Sequence, residues 1–243
     1  MQPYQADLAF IHDDGFDQFA RAAAEELQRR LAAHDLTTGL VIDLGCGGGV
    51  TAAALHGFGF TVQGVDLAPA HIEMARQRVP AGEFIQSSFL DHALKPCVAV
   101  TAIGEVLNYT FDPRSDEASL KTLFKRIHAA LQPGGCFLFD CAGPHRLAGL
   151  EYREANFSGK TWDIQVRSTI SNEGQRLERQ IIHFTRQGEL YRRSEETHQL
   201  NLYAPDDIHQ WLVAAGFEVE RFSAYRETVL PDGLVGFLGV KRN

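Results

Sequence analysis

The sequence predicts an α/β fold built on a doubly wound, mostly parallel sheet of seven strands. Five short apolar segments alternate with amphipathic segments over the first 142 residues, which is the pattern of a parallel sheet with helices on both faces. Residues 150–203 then alternate between polar and apolar side chains, which predicts an antiparallel β insertion after the fifth strand. A last helix and two strand-like segments follow and predict a terminal antiparallel hairpin.

The five strands of the parallel part are short apolar runs next to glycine or acidic residues. They are predicted at residues 40–44, 60–66, 83–86, 98–103 and 136–142. The fourth run is apolar without interruption, which is typical of a strand that is buried on both faces.

Helices are predicted where apolar residues recur at intervals of three and four. The predicted helices cover residues 16–34, 49–56, 69–79, 115–131 and 205–216. Pro69 and Pro205 suit the first helical turn, while Ser115 and Asp116 are residue types that cap a helix N-terminus. The glycine-rich LQPGG segment ends the fourth of these helices.

The insertion contains three segments with strand-like alternation, TWDIQVRSTI, RQIIHFTR and ETHQLNLY, with turns at NEGQ and QGE. Basic and acidic residues are equal in number between positions 150 and 203, so the insertion offers no phosphate-binding surface. After the last helix, FEVERFSAY and LVGFLGVKR are predicted to form a hairpin joined by a PDG turn.

The composition is that of an ordinary globular protein. The chain has 243 residues, 44% of them hydrophobic, and a formal net charge of −8. This charge argues against nucleic acid or an anionic membrane surface as a partner. No apolar run is long enough to span a membrane, and the acidic N-terminal segment does not resemble a secretory signal. The four cysteines have neither paired nor zinc-ligand spacing, so we expect a cytoplasmic protein with reduced thiols and no metal site.

A glycine-rich loop, VIDLGCGGGV at residues 41–50, follows the first strand and marks the expected ligand site. The dinucleotide pattern G-x-G-x-x-G begins at Gly45 and Gly47 but fails at its sixth position, which is Val50. Asp43 lies two residues before the first glycine and would repel a pyrophosphate. Asp66 ends the next strand, where a carboxylate can accept hydrogen bonds from ribose hydroxyls. Two acids around a glycine loop therefore favour a positively charged nucleoside.

The run VIDLGCGGG, together with Asp66 and the LQPGG segment, resembles the class I S-adenosylmethionine-dependent methyltransferases of the small-molecule type. The resemblance covers nearly the whole chain, including the terminal antiparallel hairpin. It implies a single methyltransferase domain that binds S-adenosyl-L-methionine. Its parts would be an N-terminal flap and helix (1–36), a cofactor-binding core (37–149), an antiparallel cap over the acceptor site (150–203), and a closing helix and hairpin (204–243).

The resemblance also implies a set of cofactor contacts. Asp43 and the loop Gly45–Cys46–Gly47 would hold the methionine end, and Asp66 would hold the ribose. The remaining expected contacts are Leu67, Ser88 and Phe89 around the adenine, Ile103 and Gly104 beside the methionine, and Tyr4, His12 and Phe16 in the flap. Many members of the family have an aspartate where Ser88 stands.

Methyl transfer from a sulfonium requires alignment and exclusion of water rather than a catalytic triad. The candidate catalytic residues are Glu105, His12 and Asn108. Each has a structural alternative: Glu105 as a charge at a helix start, His12 as an anchor of the flap, and Asn108 as a helix cap. His198 is expected either in the acceptor pocket or along a sheet face.

The expected acceptor is a small molecule with a nitrogen or oxygen nucleophile, bound in a pocket beneath the cap. We expect no nucleic acid and no membrane as partner, and the sequence leaves a monomer and a homodimer open. Two alternatives remain at this level: a cofactor-binding protein without catalysis, and, less favoured, a nicotinamide-dependent oxidoreductase.

Overall fold

A computed structural model of the chain describes residues 4–15, 17–171 and 173–242. Its strands are β1 (Leu40–Leu44), β2 (Thr61–Asp66), β3 (Glu83–Gln86), β4 (Cys97–Ala102), β5 (Leu131–Ala142), β6 (Tyr152–Ser158), β7 (Trp162–Ser171), β8 (Arg176–Gln187), β9 (Leu190–Asn201), β10 (Phe217–Phe222), β11 (Ala224–Tyr225), β12 (Thr228–Val229) and β13 (Leu234–Lys241). Its α-helices are α1 (Ala6–Gly15), α2 (Gln18–Ala32), α3 (Val50–Gly57), α4 (Pro69–Arg78), α5 (Glu117–Ala130) and α6 (Pro205–Ala214), and a 3-10 helix covers Val106–Asn108.

Seven strands form the central sheet in the order β10-β13-β5-β4-β1-β2-β3. Strand β13 runs antiparallel to both of its neighbours, and the other described pairings in this sheet are parallel. The predicted fold class is therefore confirmed. Because β1 lies between β2 and β4, the carboxyl ends of these three strands meet at one edge of the sheet, which is where open parallel sheets bind ligands.

The two faces of the central sheet are covered by separate apolar clusters. Leu27 and Leu31 of α2 and Leu55 of α3 pack on one face. Phe124 of α5 and Leu212 of α6 pack on the other. The apolar stripes expected for these helices are thus the surfaces that cover the sheet. No α-helix within the described ranges is both long and apolar enough to cross a membrane.

Most helices and strands of the central sheet begin and end within two residues of the positions predicted from the sequence. The side chain of Asp116 caps α5 by accepting a hydrogen bond of 2.8 Å from the Ser119 backbone N–H, as predicted. Helix α1 and the start of β5 differ from the expectation. Helix α1 was not predicted, and β5 begins at Leu131, so the LQPGG segment belongs to the strand and contains a register shift against β4.

The insertion forms a four-stranded antiparallel sheet in the order β6-β7-β8-β9, and we call this sheet the cap. One of its faces packs against α1, with Trp162, Ile164 and Ile181 of the cap in a cluster with Leu8 and Ile11. The helix that the sequence pattern did not predict is therefore stabilised by an apolar surface more than 140 residues away in the chain.

The terminal strands pair directly, with Phe217 opposite Lys241, so the antiparallel hairpin is confirmed. Their connection is longer than the single PDG turn that we expected. It contains the short ribbon of β11 and β12. The ribbon brings Tyr225 into the core, where its hydroxyl donates a hydrogen bond of 3.0 Å to Asp140.

Candidate active site

A cavity lies at the carboxyl ends of β1, β2 and β4, beneath the N-terminal segment, with about 660 Å³ of empty space including its opening to solvent. Nine of the residues expected to bind the cofactor or to act in catalysis line it: Tyr4, His12, Gly45, Gly47, Asp66, Leu67, Phe89, Ile103 and Gly104. Five others lie outside the lining: Asp43, Cys46, Ser88, Glu105 and Asn108. Phe16 lies outside the described residues.

Two glycines give the cavity its open floor. Gly47 and Gly104 have φ angles of +53° and +91°, a region that side chains other than glycine rarely adopt. A Cβ atom built on either residue would meet no protein atom within 4 Å. The backbone at both positions is thus bare toward the cavity and leaves room for a ligand. Gly45 is glycine for another reason, because a Cβ there would collide with Val106.

Asp66 ends β2 and lies at the cavity wall with its carboxylate held in place. Its two oxygens accept one backbone hydrogen bond each, from Gly47 N at 2.9 Å and from Ala68 N at 2.8 Å. Burial alone would raise the pKa of Asp66, but nearby His71 and these backbone donors lower it below its ordinary value. An ionised carboxylate has about four acceptor positions, so Asp66 retains capacity for two ligand hydroxyls.

Asp43 lies on β1 and is only 2% exposed. One carboxyl oxygen accepts a hydrogen bond of 2.6 Å from the Thr101 hydroxyl, and the other has no hydrogen-bond partner among the residues that the structure describes. Burial, supported by the charge of Asp66, raises the pKa of Asp43 to about 7. A buried acceptor without a partner fits a ligand that brings a positive charge to this end of β1.

The backbone of Cys46 joins the glycine loop to the end of β2, and its thiol packs against β2. Its N–H donates to Val65 O at 3.0 Å, and its sulfur packs so closely on Gly64 that a Cβ there would collide with it. Burial raises the pKa of the Cys46 thiol well above its ordinary value. The side chain therefore fills space beside β2.

The cavity wall near Leu67 and Phe89 contains a carboxylate, that of Asp112, which the sequence pattern did not indicate. Asp112 lines the cavity, and the Ser88 hydroxyl donates a hydrogen bond of 2.6 Å to it. Arg114 holds the same carboxylate through both its backbone and its guanidinium, and together with Ser88 it keeps the pKa of Asp112 well below its usual range. A carboxylate from 24 residues further along the chain therefore lies beside Ser88 at this wall.

Glu105 is buried behind the cavity rather than exposed within it. Both carboxylate oxygens are engaged by arginines: Oε2 lies 2.7 Å from Arg179 Nη1, and Oε1 accepts hydrogen bonds from Arg179 and Arg146. Burial raises its pKa, but the two guanidinium groups outweigh burial and lower the pKa to about 2. Glu105 thus joins the end of β4 to the cap by ion pairs, and its catalytic role remains a prediction.

Asn108 is fully buried and has all of its amide atoms bonded to backbone. Its Oδ1 accepts a hydrogen bond from Ala142 N at 2.9 Å, and its Nδ2 donates to the carbonyls of Ala142 and Asn201. These bonds join the carboxyl ends of β5 and β9. The contacts favour the structural alternative for Asn108, and its catalytic role also remains a prediction.

The N-terminal segment closes one end of the cavity with Tyr4. The Tyr4 ring lies 4.8 Å from the ring of His71 and 4.8 Å from that of His198, centroid to centroid, and its hydroxyl lies 3.1 Å from that of Tyr109. Glu196 of the cap accepts hydrogen bonds from the backbone N–H groups of Tyr4 and Gln5. The cap therefore fixes the segment from behind, although no described residue between 150 and 203 lines the cavity itself.

His12 lies at the mouth of the cavity, where it is exposed to solvent. Desolvation by the surrounding protein and the neighbouring His71 lower its pKa, and they outweigh the opposing charges of Asp13 and Asp66. His12 is therefore neutral at pH 7.

The sequence pattern did not indicate His71, Phe111, Asp112 or Ser115 as site residues, and it left Tyr109 open between a functional role and packing. His71 lies in the first turn of the helix that follows Asp66, and this position is the sequence signal that indicates it. The other four lie after β4, in a segment whose course no local pattern specifies. The aromatic residues Trp162 and Tyr203 do not line the cavity: Trp162 packs against α1, and Tyr203 packs against Trp211.

Comparisons with known proteins agree with this geometry. A family model described as a methyltransferase domain matches residues 16–221. The chain is 28% identical over 230 residues to a protein of Geobacillus sp. (strain WCH70) that carries a methyltransferase name, covering 91% of this chain and 85% of that protein.

Solved structures show the same fold at low identity. An S-adenosylmethionine-dependent methyltransferase from Clostridium acetobutylicum superposes with a TM-score of 0.82 at 18% identity over 98% of each chain. The sugar N-methyltransferase KedS8 from Streptoalloteichus superposes with a TM-score of 0.78 at 21% identity, covering 100% of this chain and 96% of that one.

Fold and site together define a Rossmann-like enzyme that binds a cationic nucleoside. The chain belongs to the methyltransferase-domain family, since the family model covers most of its length. It is an S-adenosylmethionine-dependent methyltransferase, which excludes the nicotinamide alternative. The residues present fit this cofactor: Gly47 and Gly104 leave open space, and Asp43 holds a buried oxygen without a described partner.

Proposed function

We propose that this methyltransferase acts on an amine nitrogen of a small polar molecule. In the reaction, the nitrogen lone pair forms a bond to the methyl carbon while the sulfur–carbon bond breaks. S-adenosylhomocysteine leaves, and the methylated ammonium releases its proton to solvent. S-adenosylmethionine supplies the electrophilic methyl group, and the chain binds, orients and shields it from water.

One observation carries the choice of nitrogen over oxygen. Glu105, the carboxylate predicted to act near the reacting groups, is held by Arg146 and Arg179 with a pKa lowered to about 2. A hydroxyl acceptor gains from a general base whose pKa lies near the working pH, and such an acid is a poor base. An amine needs only to arrive unprotonated. The lowered pKa of His12 also makes its imidazole a weaker base than an ordinary histidine, so it is poorly suited to activate a hydroxyl acceptor.

The charges around the cavity support a small basic molecule. Asp66 and Asp112 line the cavity, and among the described residues no lysine or arginine does. The N-terminal segment and the cap behind it narrow the access to the cavity, which favours a small acceptor over a macromolecule. The name of KedS8, a sugar N-methyltransferase, makes amino sugars the first compounds to test. We also propose that the chain is divided into flap, core, cap and closing hairpin. In this division the cap helps to form the acceptor site.

The experiment is a screen for S-adenosylhomocysteine release with matched amine, hydroxyl and carboxylate compounds, including pairs of aminated and hydroxylated sugars. Turnover of amines with none of their hydroxyl counterparts supports the proposal. Radiolabelled donor is supplied in parallel to whole-cell RNA, DNA, protein and a metabolite extract. Label only in a macromolecular fraction, or turnover of hydroxyl compounds alone, would overturn it.

A further inference from the structure

His71 lies in the first turn of α4, just after the carboxylate that ends β2. It is 3% exposed, and it lines the cavity. Neither of its ring nitrogens has a hydrogen-bond partner among the described residues. A neutral imidazole carries one donor and one acceptor, and leaving both unpaired in a buried place is unfavourable. A buried polar ring at a cavity wall without partners is therefore a position where a ligand is expected.

The neighbours of His71 indicate which part of the ligand it meets. Its Nδ1 lies 3.6 Å from Oδ2 of Asp66, which is beyond hydrogen-bond distance. Each oxygen of Asp66 already accepts one backbone N–H, and each can still accept a ligand hydroxyl. A hydroxyl group both donates and accepts. A hydroxyl bound beside these two side chains can donate to the carboxylate and accept from the imidazole.

We infer that His71 binds the sugar of S-adenosylmethionine, sharing a ribose hydroxyl with Asp66. This inference rests on the ribose contact proposed for Asp66 and goes beyond it, because it assigns a second protein group to the same hydroxyl. His71 is then a determinant of cofactor recognition. An adenosyl ligand without that hydroxyl leaves the imidazole unpaired again and binds more weakly.

The packing around His71 keeps its ring in place for this role. One side of the ring faces Tyr4 at a centroid distance of 4.8 Å, and the ring of His12 lies 6.1 Å away. Tyr4 is in turn held by its backbone N–H, which donates a hydrogen bond to Glu196. The imidazole is thus oriented before the ligand binds, which reduces the entropy lost on binding.

The chain offers a matched control in His183 of the cap. It is 1% exposed, and both of its ring nitrogens also lack a hydrogen-bond partner among the described residues. It does not line the cavity. Replacing each histidine with phenylalanine keeps an aromatic ring and removes the nitrogens. Both variants therefore replace a buried imidazole with a phenyl ring, but only position 71 lies at the cavity where the ligand is expected.

The test is calorimetric titration of S-adenosylhomocysteine, which binds without turnover, into the wild type, His71→Phe and His183→Phe. We expect His71→Phe to weaken binding about three- to tenfold, the ordinary effect of one lost hydrogen bond, and His183→Phe to change it less than twofold. The 2′-deoxy and 3′-deoxy forms of S-adenosylhomocysteine are then compared. For one of these two ligands, removal of the hydroxyl should weaken binding to His71→Phe less than it weakens binding to the wild type. The reason is that removal of the hydroxyl and removal of the imidazole delete the same contact.

Asp66→Asn is measured alongside, so that failure of the ribose assignment is distinguished from failure of the His71 inference. If Asp66→Asn weakens binding and folded His71→Phe does not, the inference about His71 is wrong. The inference would also be wrong if His71→Phe weakened the binding of S-adenosylhomocysteine and of both deoxy forms by the same factor relative to the wild type. Should His71→Phe fail to fold, nitrogen NMR of labelled histidine in the wild type decides: addition of S-adenosylhomocysteine must shift the His71 ring signals to hydrogen-bonded values, and unshifted signals contradict the proposal.

Discussion

The Nη1 atom of Arg179 on cap strand β8 lies 2.7 Å from Oε2 of Glu105, which follows β4 of the central sheet. Arg146, from the loop after β5, binds the other carboxylate oxygen of Glu105. Three distant segments therefore meet at one buried carboxylate, which is 6% exposed. Removing one partner from a buried ion pair is strongly unfavourable because it leaves the other charges without compensation.

Glu105→Gln is expected to destabilise the protein by roughly 3 kcal/mol, since two guanidinium groups then remain without their carboxylate. Urea unfolding measures the change. The control is Glu154→Gln, whose ion pair with Arg167 joins exposed side chains, so its effect should stay within about 0.5 kcal/mol. Similar stabilities for the two variants would show that Glu105 does not hold the cap.

The same contacts predict how stability depends on pH. The pKa of Glu105 is lowered in the folded protein to about 2 from an ordinary value of 4.5. A lowered folded pKa adds stability above the unfolded pKa, and this stability is lost as the pH falls from 4.5 toward 2. Between these values the wild type should therefore lose more stability than Glu105→Gln. Parallel curves of unfolding free energy against pH would contradict the assignment.

Asp43→Asn should weaken cofactor binding and yet stabilise the free protein at pH 8. The pKa of Asp43 is raised by burial to about 7, so its favourable contribution is complete below the unfolded pKa of 3.8 and is lost as the pH rises through 7. An amide avoids this loss, and we expect a gain of roughly 1–3 kcal/mol at pH 8 that shrinks toward pH 5. Chemical unfolding at the two pH values measures it.

Asp43→Asn should weaken cofactor binding although it stabilises the free protein. Asparagine cannot balance the positive charge at the methionine end, so affinity for S-adenosylhomocysteine should fall about tenfold or more. Unchanged affinity in a folded Asp43→Asn variant would remove Asp43 from the cofactor site.

The parallel part of the fold could be predicted because its signals are local. A strand such as β3 is bounded by breaks in its apolar pattern, and Pro69 marks the first turn of α4. Helix α1 has no comparable signal. Its buried residues are Leu8, Ala9 and Ile11, and their partners lie on the cap, far along the chain.

The site was predictable to the extent that its residues follow strand ends. Asp66 and Gly47 could be placed because the loop after a parallel strand faces the ligand edge. The contacts of Glu105 and Asn108 could not be predicted, because their partners, such as Arg179, are many residues away. Asp112 was missed for the same reason, because no local pattern indicates that the segment after β4 brings it to the cavity wall beside Ser88.

Gly47→Ala is expected to abolish or strongly weaken cofactor binding, by at least about tenfold, because its Cβ enters the open space beside Asp66. Gly188 in the turn between β8 and β9 is the matched control. It also has a left-handed backbone, with φ of +66°, and open space for a Cβ, but it lies outside the cavity lining. Both variants should lose about 1 kcal/mol of stability. Equal cofactor affinity in the two would place the ligand elsewhere.

The pH dependence of turnover tests the proposed amine acceptor. His12 has a lowered pKa and is neutral at pH 7, and Glu105, with a pKa of about 2, is ionised throughout the working range. Neither group then changes its charge between pH 7 and 9. Asp43, with a pKa of about 7, is also largely ionised above pH 8. The rise of kcat/KM above pH 8 should therefore follow loss of the proton from the acceptor's own ammonium group.

Two acceptors that differ mainly in amine pKa, such as an amino sugar and its fluorinated analogue, separate these causes. We expect the alkaline rise of kcat/KM to move to lower pH with the less basic amine, by the difference between the two amine pKa values. His12→Gln keeps a hydrogen-bonding side chain without a titrating group, and it should leave the position of the rise unchanged. A rise at the same pH for both amines, which His12→Gln then moves or abolishes, would show that a protein base removes the proton and that acceptor ionisation does not control the reaction.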